Sequence, residues 1–224
     1  MDGLAALVTA SALFVWTHFM MSHPLRAKMV ARLGEKGFSA VYSLVSFATL
    51  GWMIWEFLNA PIGERWWLPT DGVWIAASLL TLLASVFLIG SFAGNPALPH
   101  PGAAALAERE PTGMFRVTRH PMMWGIALWA LAHMLVAPRA DSFIFNGAFV
   151  FLALAGAAGQ DRKKAKNMGA AWQHWTSRTS FWPRLSGLAG IGIRTWLLGL
   201  LLWLAATWAH SLASLPAAGI YRWL

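Results

Sequence analysis

Six apolar stretches, each roughly 17–25 residues, are long enough to cross a hydrocarbon core of about 30 Å as helices. They fall at Leu4–Met21, Phe38–Leu58, Val73–Phe92, Met122–Pro138, Phe143–Gly159 and Thr195–Leu212. No other feature restricts the fold as much. Only 12% of the 224 residues are charged and 58% are hydrophobic, whereas a soluble domain carries about a quarter charged residues. The expected architecture is therefore all-α: one polytopic membrane domain of six helices, partnered by the lipid bilayer. The fifteen tryptophans fit it, since Trp is favoured at membrane–water interfaces. The first stretch follows Met1-Asp2-Gly3, not a basic segment, and Arg26, Lys28 and Arg32 come after it in place of a cleavage site. It reads as a retained helix and not a signal peptide.

Charge sets the orientation. Arg26, Lys28, Arg32, Lys36, Arg109, Arg116, Arg119, Arg162, Lys163, Lys164, Lys166, Arg178, Arg184 and Arg194 all fall in segments at one end of the spans. Only Arg65, Arg139 and Arg222 fall at the other. The positive-inside rule places the larger group in the cytoplasm and both termini outside. This distribution also explains the net charge of +8 without nucleic acid as a partner. With no cysteine present, disulfides, thiolate metal sites and cysteine nucleophiles are excluded.

Two cytoplasmic segments exceed the length of a bare connection. Residues 93–119 contain Gly94-Asn95-Pro96, Pro99-His100-Pro101-Gly102 and Pro111, which predict a structured loop with at most short helices. Residues 160–194 begin as a basic helix and carry Trp172, Trp175, Phe181 and Trp182. That pattern fits either a helix lying in the cytoplasmic interface, anchored by aromatics, or a segment that closes a site.

Chemistry is concentrated in histidine. Three of the seven histidines, His18, His133 and His210, fall inside apolar stretches, where an ionisable residue costs free energy and marks a candidate site. The alternative is a neutral imidazole bonded to a neighbouring helix. Glu56 is the only acidic residue near a span interior, so zinc and di-iron sites lack their usual carboxylate or thiolate ligands. Neutral imidazoles on different helices suit haem, which needs one or two axial ligands and an apolar slot. By helical rise, His133 lies about 20 Å beyond Arg119 and His18 about 12 Å from Arg26. That offset of about 8 Å must be absorbed by tilt; His210 is the substitute partner for His133.

A second constellation is Arg119-His120-Pro121-Met122-Met123-Trp124-Gly125 at the cytoplasmic mouth of the fourth span. Pro121 fits the first helical position, and Arg119 and His120 then stand where an anionic group is favoured. Arg119 reaching to lipid phosphate, with His120 as a cap, is the plainer alternative.

The residues resemble two families. Thr17-His18, Ala31-Arg32-Leu33-Gly34-Glu35-Lys36 leading into Tyr42-Ser43-Leu44-Val45-Ser46, and His120-Pro121-Met122 followed by Leu128-Trp129-Ala130-Leu131-Ala132-His133 resemble the NnrU family over nearly the whole chain. That family includes the plant and cyanobacterial 15-cis-zeta-carotene isomerases. The resemblance implies haem b ligated by His18 and His133, with Trp124 and Trp129 beside it and Arg119 and His120 as catalytic residues. It also implies a redox-gated isomerisation of an apolar, bilayer-resident small molecule such as a cis-carotene. Bacterial members, set in the inner membrane, are associated with nitric oxide and denitrification. Arg119, His120, Pro121 and Gly125, with Gly169-Ala170-Ala171-Trp172-Gln173-His174-Trp175 and Pro183, also resemble the isoprenylcysteine carboxyl methyltransferases. There the implied cofactor is S-adenosylmethionine, but Met123 stands in place of a tyrosine and Gln160-Asp161 in place of two glutamates. Three functions follow: a haem-dependent isomerase, a membrane methyltransferase, and a non-enzymatic haem or nitric-oxide accessory protein.

Overall fold

The computed structural model describes residues 3–98, 101–213 and 215–224, so the expected turn at Pro99-His100 lies outside the described residues. The described residues form helices and connections with no strand. The helices are α1 (Gly3–Ser22), α2 (Arg26–Asn59), α3 (Asp71–Gly90), α4 (Ala103–Glu108), α5 (Pro121–Val136), α6 (Ala140–Met168), α7 (Ala170–Arg178) and α8 (Ile193–Leu212). Among the described residues, five of them (α1, α2, α3, α6 and α8) are long and apolar enough to cross a membrane, and α5 is apolar but shorter. The chain is a helical, multi-pass membrane protein.

Local chemistry fixes the ends. The Thr70 hydroxyl caps α3 by accepting from the Val73 amide at 3.4 Å, with Asp71 in the first turn. Pro121 opens α5, where a missing N–H costs nothing. Gly169 (φ 53°) breaks α6 from α7 in a conformation that a side chain would resist. Helix α2 begins twelve residues before the expected span, at Arg26, and is kinked at Gly34 (φ 70°). An Arg26–Glu35 ion pair of 2.8 Å bridges that kink.

Packing orders the long helices in a row: α2 on α1, α1 on α6, α6 on α5, α5 on α3, and α3 on α8. Two apolar clusters follow from this order. Leu7, Phe14, Met53, Phe145 and Ala148 join α1, α2 and α6. Val86, Phe87, Trp124, Ala127 and Ala153 join α3, α5 and α6. Glycine sets two close crossings. A Cβ at Gly125 would lie 2.9 Å from the Ala84 carbonyl, and one at Gly199 would lie 2.7 Å from Val86 Cα. Without side chains there, α5 and α8 both approach α3 closely, as membrane helices do through small residues. Leu44, Phe47, Trp55, Phe151 and Leu201 face outward, as helices bathed in lipid require.

The 160–194 segment departs from one of its two expected forms. Trp172 and Trp175 are buried, packed with Phe115, Ala97 and Ala107, and do not anchor an interfacial helix. Only Trp182 among these tryptophans is exposed. The segment folds over the basic end of the bundle and closes it.

Candidate functional site

Two histidine-bearing regions stand at opposite ends of α5. At the basic end, Arg119 and His120 immediately precede the helix, and the extension of α6 beyond its apolar 143–159 stretch delivers Gln160 and Asp161 to them. Arg119 donates to Asp161 through Nε (3.0 Å) and Nη2 (2.6 Å). The buried His120 ring lies with Nε2 2.8 Å from Asp161 Oδ1 and Nδ1 3.2 Å from Gln160 Oε1. Gln160 donates its amide to the Ala97 carbonyl, and Lys164 reaches the Pro96 and Leu98 carbonyls. Thr118 and Trp124 donate to the Phe181 carbonyl, and the Arg119 amide donates to Ser180. Burial alone would raise the Asp161 carboxyl, but hydrogen bonds from His120 and Arg119, together with their positive charge, hold it below the ordinary carboxylate value. Burial, with the nearby Lys163 charge, lowers Lys164. Every polar group of His120 is thus occupied by protein.

The other end is built differently. A cavity of about 850 Å³ opens between α3, α5 and α8, walled by Ala77, Ala84, Ala132, Phe149, Trp129 and Trp203. Its size falls in the range of small-molecule and cofactor sites. His133 and His210 both line it, with ring centroids 6.3 Å apart and planes at 63°. His133 Nδ1 bonds the Trp129 carbonyl at 2.8 Å, which presents Nε2 as the free nitrogen. Among the described residues, neither that nitrogen nor the His210 ring has a hydrogen-bond partner. Trp203 spans the wall, donating to Thr81 Oγ1 at 3.0 Å and so tying α8 to α3.

The histidines and tryptophans expected at the site are therefore distributed unevenly. His133, Trp129 and His210 share the cavity. His18 stands apart on α1, its Nδ1 on the Phe14 carbonyl at 2.7 Å and its ring against Tyr42. A run of rings separates it from His133: Phe14, Phe149 and Trp129, in contact at 5.6 and 5.5 Å. Trp124 lies at the basic end against Trp182, not in the cavity. Arg119 and His120 come together with Asp161. Sequence reasoning missed the cavity's Arg65, Arg139 and Arg222, although their isolation at the charge-poor end was visible. It also missed Asp161 as the partner of both Arg119 and His120; a lone acid opening a basic run was the available signal.

Haem b, the cofactor that the sequence resemblance implies, would fit two imidazoles beside an apolar cavity. Among the described residues no three His, Asp or Glu side chains gather as a metal site, whereas haem takes two imidazoles and an apolar slot. The His133 and His210 ring centroids lie 6.3 Å apart, so both imidazoles could reach one iron. His18 does not line that cavity.

The model of the NnrU protein family matches residues 6–216. The 15-cis-zeta-carotene isomerase of the maize chloroplast (Zea mays) is 35% identical over 72 residues, which are 32% of this chain. The match spans 20% of that relative's length. No solved structure matches significantly.

Proposed function

The chain belongs to the NnrU protein family, and from that premise we propose that it is a haem b protein of the bacterial cytoplasmic membrane, isomerising an apolar, bilayer-resident substrate such as a cis-carotene. In this reading six helices span, with α5 as the short sixth crossing of about 24 Å. The basic end faces the cytoplasm and both termini face outward. One observation carries the reading: His133 and His210 face each other at 6.3 Å in an apolar cavity. This supports His210, in place of His18, as the partner of His133.

Each residue then has a definite task. His133, its Nδ1 tied to Trp129, would offer Nε2 to the haem iron, and His210 would offer a second imidazole. Bound haem supplies a one-electron or Lewis-acid centre. Trp129, Phe149 and Trp203 wall the cavity with apolar surface, which suits an apolar substrate such as a polyene. Arg119 and His120, tied to Asp161, hold α5 at its cytoplasmic start, so they position the helix that carries His133.

The test is expression in cells that accumulate a poly-cis carotene precursor, with isomers resolved by chromatography. Wild-type protein is expected to shift the pool toward the trans product, and His133→Ala is not. An unchanged pool in both would leave a haem protein without isomerase activity. Micromolar binding of S-adenosylhomocysteine by calorimetry would instead favour a methyltransferase at the Arg119–Asp161 end.

A further inference from the structure

The cavity carries a feature that two imidazoles do not explain. Its charged lining residues other than histidine are Arg65, Arg139 and Arg222, and neither Asp nor Glu is among its walls. They arrive from three separate parts of the chain: the α2–α3 connection, the α5–α6 connection, and the turn at Gly219–Arg222 after α8. All three parts lie at one end of the bundle, so the arginines form a rim. Acidic partners within the protein meet only part of this charge, since Arg139 and Arg222 each pair with one aspartate and Arg65 with none among the described residues. Arg139 is braced against buried Asp141 through Nε and Nη2, at 3.1 and 2.9 Å, and Nη1 has no hydrogen-bond partner among the described residues. Arg222 lies 4.3 Å over the Trp74 ring, with Asp71 no nearer than 3.7 Å. Arg65 is exposed and makes no ion pair among the described residues.

Depth completes the arrangement. His133 lies about 5 Å along the axis below the end of α5, and His210 is in the last turn of α8. The imidazole pair and the guanidinium rim are therefore successive layers of one cavity, apolar walls below and cations above. Guanidinium groups are the side chains best matched to carboxylates, through paired N–H donors.

We propose that the ligand of this cavity carries two carboxylates at the rim end and that Arg65, Arg139 and Arg222 hold them. This rests on the haem reading above, in which the two propionates of haem b are those carboxylates. The rim then fixes which edge of the ligand faces outward, while the histidines fix its depth.

Free-acid haem and its dimethyl ester, titrated into the detergent-purified full chain and followed in the Soret region, test this. Wild-type protein is expected to bind the free acid at least tenfold more tightly than the ester. Arg65→Gln/Arg222→Gln, which leaves the buried Arg139–Asp141 pair intact, is expected to lose most of that preference while keeping the ester affinity. Equal affinity of wild type for both forms would overturn the proposal, and so would an unchanged preference in the variant. A rim that serves a lipid phosphate gives no ester preference and falls under the same outcome. Failure of folded wild type to bind either form, with helical circular dichroism intact, would overturn the haem reading itself.

Discussion

Histidine stands at both ends of α5, and the two ends treat it in opposite ways. His120 is buried with both ring nitrogens facing protein acceptors, inside a network that also engages Arg119, Asp161, Gln160 and Lys164. His133 and His210 are half-buried and line an 850 Å³ cavity, with His133 Nε2 and the His210 ring unpartnered among the described residues. The sequence presents both as histidines beside a membrane-spanning helix. The contrast teaches that hydrogen-bonding capacity left unfilled, more than burial, separates a ligating or reacting imidazole from a structural one.

Breaking the saturated end has the largest expected effect. Asp161→Ala leaves a partly buried guanidinium and a buried imidazole without their acceptor, at a cost of about 3 kcal/mol. The melting temperature in detergent is expected to fall sharply, while haem bound per folded molecule stays at the wild-type level. Normal stability with lost haem would invert the comparison.

Moving the open end comes next. Gly199→Ala drives a Cβ against the Val86 backbone, and overpacking of this kind costs about 1–3 kcal/mol. Because α8 carries His210, haem affinity is expected to weaken with stability. Gly156→Ala, which has no atom within 4 Å of its Cβ, is the control and should change neither. Unchanged affinity in Gly199→Ala would detach His210 from the site.

Acidity discriminates between the ends more gently. Asp161 is held below its ordinary carboxylate value, so its contribution is full above the unfolded value of about 3.9. It is lost only as pH falls through the lower, folded value. Thermal stability is expected to be insensitive to this group from pH 7 to pH 5 and to decline below about pH 4, and Asp161→Asn should flatten that decline. An acid limb identical in the variant would remove Asp161 as its source. The smallest expected effect is that of Lys164→Met, which frees the Pro96 and Leu98 carbonyls for a loss of about 1 kcal/mol. Limited proteolysis should then cut near residues 95–98 faster, with the haem spectrum unmoved.

The spans were legible because the bilayer sets helix length. α1, α3 and α8 end within about two residues of the apolar runs that foretold them. The extension of α2 back to Arg26 was not legible, since its polar first turns are held by tertiary contacts and by the Gly34 kink, not by hydrophobicity. Trp172 and Trp175 misled for a related reason. A tryptophan near a membrane end serves equally as an anchor or as a core residue, and only the folding of α7 onto Phe115 and Ala97 decides between them. His133 stood out as a candidate from its place within a span, and His210 was the substitute for His18 as its partner. The choice between His18 and His210 was not legible, because the approach of His133 and His210 depends on α5 and α8 both packing against α3, which Gly125 and Gly199 allow without signalling it.

The central claim is tested most directly by the oxidised and dithionite-reduced absorption spectra of four purified, haem-supplied proteins: wild type, His133→Ala, His210→Ala and His18→Ala. The account predicts a Soret band with sharp low-spin reduced bands in wild type and in His18→Ala. It predicts that His133→Ala and His210→Ala each lose or broaden those bands. A spectrum that survives His210→Ala but collapses in His18→Ala would contradict it, placing the second ligand on α1 and not in the cavity between α3, α5 and α8.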